Sequence, residues 1–146
     1  MAYQAKEIAE KIIKYEHSKE NGEYVSNMKL QKLLYYQQGF HLAYFGNALF
    51  DESIEAWMYG PVVPAVYDIY KDYGSKGLEF DGDVITLREE EESLFDEVMK
   101  VYGKFSAVGL MDLTHKEAPW TTTPTGLGNI ISPEKLRDYF STKIVS

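Results

Sequence analysis

The chain contains no cysteine. Disulfides, thiol nucleophiles, Fe–S clusters and thiolate zinc sites are therefore excluded. Basic residues are also scarce: 15 Lys and Arg stand against 23 Asp and Glu, a formal net charge of −8. Nucleic-acid binders displace phosphate counterions with a basic patch, so no nucleic-acid partner is expected. No apolar run approaches the roughly 18–20 residues of a membrane span, and the N-terminus lacks the apolar core of a signal peptide. No membrane partner is expected, and a cytoplasmic protein is the default reading.

The signatures of catalysis are missing as well. There is no Gly-x-Ser-x-Gly elbow and no Ser-x-x-Lys pair. Gly74, Gly77 and Gly82 lack both the spacing of a phosphate loop and a following Lys-Ser or Lys-Thr. His17, His41 and His115 form no His-Glu-x-x-His pattern. A protein without catalytic residues, metal or cofactor is the expectation. The alternative left open by the residues is an uncharacterised enzyme or metal protein using His115 and Glu117.

What the chain has is aromatic surface. Its 146 residues include 12 Tyr, 7 Phe and 2 Trp, so 14% are aromatic. Tyrosine is amphipathic and has few rotors, which suits a core or a surface that a partner later covers. The length fits one domain, residues 1–146, with enough buried surface for a core.

Periodicity predicts a mostly helical fold: a compact bundle of about six helices around a buried central helix, with one short β-hairpin. Ala5, Ile8, Ala9, Ile12 and Ile13 form the apolar stripe of a first helix over Tyr3 to Lys14. His17 to Glu23 reads as a turn. The central helix starts near Asn27, capped by Ser26 or Asn27, and stops at Gly46. Gly39 and Ala43, four apart on it, admit a close neighbour. Leu49-Phe50 and Ile54 to Tyr59 alternate around Asp51-Glu52 as a hairpin, which Gly60 to Pro64 then breaks. Pro64 opens a helix that stops at Gly74, and a loop runs from Ser75 to Asp83. Thr86 and Glu89 match a capping box for the next helix. Ser106 caps a short helix, Ala118 to Gly128 is a loop, and Ser132-Pro133-Glu134 begins the last helix.

Several residues carry a choice between a structural and a functional role. Lys29 and Lys32 sit at the N-terminal end of the central helix, where the dipole disfavours positive charge. Either a tertiary acidic partner offsets them, the more ordinary outcome, or they belong to a functional surface with Tyr36. Glu89 to Glu92 read as a solvated first turn, with a patch for a basic partner as the sharper alternative. Trp57 and Tyr59, followed by the rigid Pro61-Val62-Val63-Pro64, make either a binding edge or a hairpin covered on both faces between helices. Lys32, Tyr36, Trp57, Tyr59, Pro61 and Val62 are thus the expected partner contacts. His41 reads as a satisfied core histidine, and Thr114, His115, Glu117 and Trp120 as a structural knot.

Three stretches together resemble one family. They are Leu30-Gln31-Lys32-Leu33-Leu34-Tyr35-Tyr36 with Gln38-Gly39, Tyr59-Gly60-Pro61-Val62-Val63-Pro64 with Tyr70-Lys71 and Tyr73-Gly74, and Thr114-His115-Lys116-Glu117 with Pro119-Trp120. The family is the Panacea domain, which includes SocA-like and GepA-like phage-associated proteins. The resemblance implies an antitoxin of a toxin–antitoxin pair, without cofactor or catalytic residues. Its implied partner is a protein toxin encoded by the adjacent gene, neutralised by direct binding. The alternative it implies is an adaptor that hands the toxin to a ClpXP-type protease. A helix beginning almost at Met1 suggests a minimal domain without a separate DNA-binding part.

Overall fold

A computed structural model describes residues 2–19, 24–74 and 76–144. Most of the turn expected at His17 to Glu23, and the first residue of the Ser75 loop, lie outside them. Seven α-helices and a three-stranded antiparallel sheet form among the described residues.

Helix α1 (Ala5–His17) buries the predicted stripe completely: Ala5, Ile8, Ala9, Ile12 and Ile13 have no exposed surface. Helix α2 (Asn27–Phe45) begins where Ser26 Oγ accepts the Lys29 backbone N–H at 3.2 Å. It ends at Gly46, whose φ of 75° is left-handed and whose N–H reaches the Leu42 carbonyl. That geometry suits glycine because a Cβ would crowd the backbone.

Fourteen of the nineteen residues of α2 are buried, so it is covered on nearly every side. The sequence suggests an amphipathic first half with Lys29 and Lys32 on an outer face; the structure buries that face too. Such a helix must satisfy its polar groups internally. Gln38 bonds the backbone of Leu49 and Phe50, and Gln37 reaches the Phe95 carbonyl. Gln31 accepts the Val63 N–H at 2.8 Å. Helix α7 (Pro133–Ser141) lies along α2, with the Phe140 ring seated directly over Gly39.

The sheet corrects one expectation. Strand β1 (Ile54–Trp57) pairs with β2 (Gly60–Val62) and β3 (Ile130–Ile131), in the order β2-β1-β3. The hairpin therefore turns at Met58-Tyr59, while Phe50 makes an isolated parallel bridge to Tyr3. Pro61 does not break the strand, because β2 is at the sheet edge and its missing N–H costs no ladder bond. Helix α3 (Pro64–Tyr70) follows, with a 3-10 turn over Lys71–Tyr73.

Helix α4 (Glu89–Tyr102) is capped at Arg88, two residues after the expected Thr86: the Glu91 carboxylate, not Glu89, accepts the Arg88 backbone N–H. Helix α5 (Ala107–Thr114) is capped by Ser106. A one-turn α6 (Ala118–Thr121) stands where a loop is expected, started by Pro119 in its first turn.

Candidate functional site

The three motif stretches converge on Gly60. Its φ of 116° is open to glycine, and a Cβ there would lie 2.7 Å from Lys32 Cε and 3.0 Å from Thr114 Oγ1. Beside this junction lies a cavity of about 280 Å³. Met28, Gln31 and Lys32 of α2 line it, with Trp57, Tyr59 and Val62 of the hairpin and Tyr67 and Lys71 from the α3 segment.

The rim is held from behind. The Trp57 indole N–H donates to Glu55 at 2.9 Å, and its ring meets Tyr67 edge-on at 5.0 Å. Glu55 also accepts the Gly128 N–H, and Trp120 Nε1 donates to the Trp57 carbonyl at 2.9 Å. His115 stacks on Trp120 at 4.1 Å, so the third motif props the second. Met58 and Tyr59, at the turn, are 66% and 63% exposed. A hairpin fixed at its base thus presents two large apolar side chains to solvent.

Four of the six expected contacts, Lys32, Trp57, Tyr59 and Val62, line this one cavity. Tyr36 and Pro61 do not: both are buried and offer no outer surface. Tyr36 instead stacks on Tyr102 at 3.9 Å and, with Tyr35, donates its hydroxyl to Glu117, each at 2.9 Å. Burial raises the Glu117 carboxyl and these two donors lower it, leaving it above the ordinary range. Burial pushes the two phenols up as well, with Glu117 adding to the effect.

His41 forms a separate buried group, bonded to the Asn47 carbonyl at 2.8 Å and to Glu91 at 2.6 Å. Tyr3 donates to the other Glu91 oxygen at 2.6 Å. The acidic run is therefore not uniformly solvated: Glu91 points inward. Burial raises its carboxyl, but the Tyr3, His41 and Arg88 hydrogen bonds outweigh that and hold it at about 2. Among the described residues no three His, Asp or Glu side chains gather to hold a metal ion. His115 and Glu117 do not join in such a group: one stacks on Trp120 and the other is claimed by two tyrosines.

The two lysines of α2 part company. Lys29 pairs with Glu16 at 3.1 Å and donates to the Gly103 carbonyl at 2.7 Å. Lys32 is 1% exposed and, among the described residues, makes no hydrogen bond or ion pair. Burial lowers its ammonium to about 8. The pocket residues that sequence reasoning missed are Met28, Gln31, Tyr67 and Lys71. Met28 stands four positions before Lys32 on the helix, a spacing that puts the two on one face, whereas adjacent Gln31 carries no such signal.

The described residues thus form a small, mostly helical fold with an aromatic-rimmed pocket beside its hairpin. The chain belongs to the SocA-like antitoxin family of Panacea domains, whose model matches residues 30–121. It is similar to Antitoxin SocA of Caulobacter vibrioides (strain NA1000 / CB15N), with 30% identity over 145 residues, covering 84% of this chain and 75% of that protein. No solved structure matches. Family membership supports an antitoxin role and implies a toxin partner. No helix of the described residues is long and apolar enough to cross a membrane.

Proposed function

We propose that this protein neutralises a cognate toxin, encoded by the adjacent gene, by binding it directly and without catalysis. The observation that carries the reading is the hairpin rim. Met58 and Tyr59 are exposed while Trp57, Glu55 and Trp120 hold the strand beneath them. Pre-ordered aromatic surface beside a pocket is what interface anchors require, because little conformational entropy is lost on docking.

The test is co-expression with the neighbouring reading frame, scoring growth and then co-purification. The neighbour alone should arrest growth, and this protein should restore it and co-elute. Met58→Ala with Tyr59→Ala should weaken the complex roughly tenfold or more with an unchanged helical circular-dichroism spectrum. Protection should persist in a host lacking ClpXP. Protection that disappears there, with no lasting complex, would replace neutralisation by delivery to a protease.

A further inference from the structure

The buried polar side chains of α2 are satisfied almost one by one. Asn27, Lys29, Gln31, Tyr35, Tyr36, Gln37, Gln38 and His41 each have a hydrogen-bond partner. Lys32 has none among the described residues, although only Tyr35 and Tyr36 of that group are more deeply buried. Its Nζ is not fully enclosed, unlike Glu16 Oε2 and His115 Nε2. An ammonium on a buried stem with no protein acceptor is disfavoured unless its tip meets water or a ligand, so this fold has left a contact open.

The lysine lies in the wall of the cavity beside the hairpin, so the open contact faces a space that a ligand can enter. Of about 280 Å³, the cavity is at the small end of the roughly 300–1,000 Å³ of ligand pockets and suits one or two side chains. Its chemistry selects further. Trp57, Tyr67, Met28 and Val62 make the walls largely apolar, with Lys71 adding a second positive charge. Asn27 and Gln31 turn their amides to the protein's own groups. A phosphate asks for several donors at once; one unpaired ammonium matches a carboxylate on a short hydrocarbon stem.

We propose that this pocket receives an aspartate or glutamate side chain of the toxin, which pairs with Lys32 Nζ while its stem packs on Trp57 and Tyr67. The proposal rests on the direct-binding reading above and names the chemistry of that site. It gives this acidic chain a cationic recess beside the hairpin, so the partner is selected by a placed carboxylate as well as by shape.

Two measurements test it. In the first, Lys32→Met is compared with the unaltered chain in binding the purified toxin. The variant should keep its helical spectrum and melt no lower, yet bind roughly a hundredfold more weakly. Each toxin Asp and Glu is then changed to Asn or Gln. One change should reproduce the loss in the unaltered background and add nothing to Lys32→Met. Equal binding by Lys32→Met, or no toxin carboxylate coupled to it, overturns the proposal.

The second measurement does not need the toxin. N-acetyl-glutamate amide and its glutamine counterpart are titrated at millimolar concentration while the NMR signal of the Trp57 indole N–H is followed. The glutamate probe alone should move it, and Lys32→Met should abolish the movement. No response, or the same response to both probes, overturns the site. If the charged probe binds but the unaltered chain forms no toxin complex, direct neutralisation fails instead, and the toxin is removed as the source of the carboxylate.

Discussion

Replacing Lys32 with methionine should stabilise the free protein. The two side chains have similar length and shape, so Met keeps the stem packed against Gly60 and removes only the ammonium. Burial lowers that group from 10.5 to about 8. The folded chain therefore holds this proton less tightly than the unfolded chain, and the charge costs stability at every pH below about 8. The gap corresponds to about 3 kcal/mol. For a domain of this size that is a rise in Tm of about 10 °C. The cost fades as pH climbs from about 8 towards 10.5, because the folded form sheds its proton before the unfolded form does. Thermal melts and urea titrations of both chains, at pH 7 and at steps up to pH 10.5, read this directly. The advantage of Lys32→Met should be flat below pH 8 and shrink above it. A lower Tm, or an advantage that ignores pH, would show that Lys32 is not an unpaired charge and refute the reasoning.

Other perturbations have equally definite outcomes. Glu91 is held at about 2, below its ordinary 4.5, so its contribution is full above pH 4.5 and lost as pH falls towards 2; Glu91→Gln should flatten the acid limb of a stability–pH profile. Tyr36→Phe leaves one Glu117 oxygen buried without its donor and should cost about 1–3 kcal/mol in urea denaturation. Gly39→Ala drives a methyl group into the Phe140 ring and should cost about 1–3 kcal/mol, with α7 losing hydrogen-exchange protection first.

Helix limits were the most readable part of the fold, because caps are local chemistry. Ser26 and Gly46 mark α2 in the sequence and bound it in the structure. Gly39 likewise signalled a close neighbour, and Phe140 is that neighbour. The hairpin was misread because its turn, Met58-Tyr59, contains none of the usual turn residues, whereas Asp51-Glu52 looks like one. The polar interior was less accessible still. Glu117 meets Tyr35 and Tyr36 from more than eighty positions away, and Tyr3 lies 88 positions from Glu91. Lys29 and Lys32 are indistinguishable by position on the helix. Only the tertiary placement of Glu16 and the Gly103 carbonyl gives one of them its partners.

The meeting of three chain-distant segments at Gly60 has a consequence in time. Every residue of the pocket lining lies between Asn27 and Gly74. The parts that brace it, Thr114 beside Gly60 and Trp120 on the Trp57 carbonyl, are made much later. A growing chain thus carries the whole pocket lining long before it can hold it in place. A protein truncated after Met111 should contain the whole lining and still capture no toxin in a pull-down. On the direct-binding proposal, recognition is in this way reserved for finished molecules, and nascent or clipped copies would not occupy the partner.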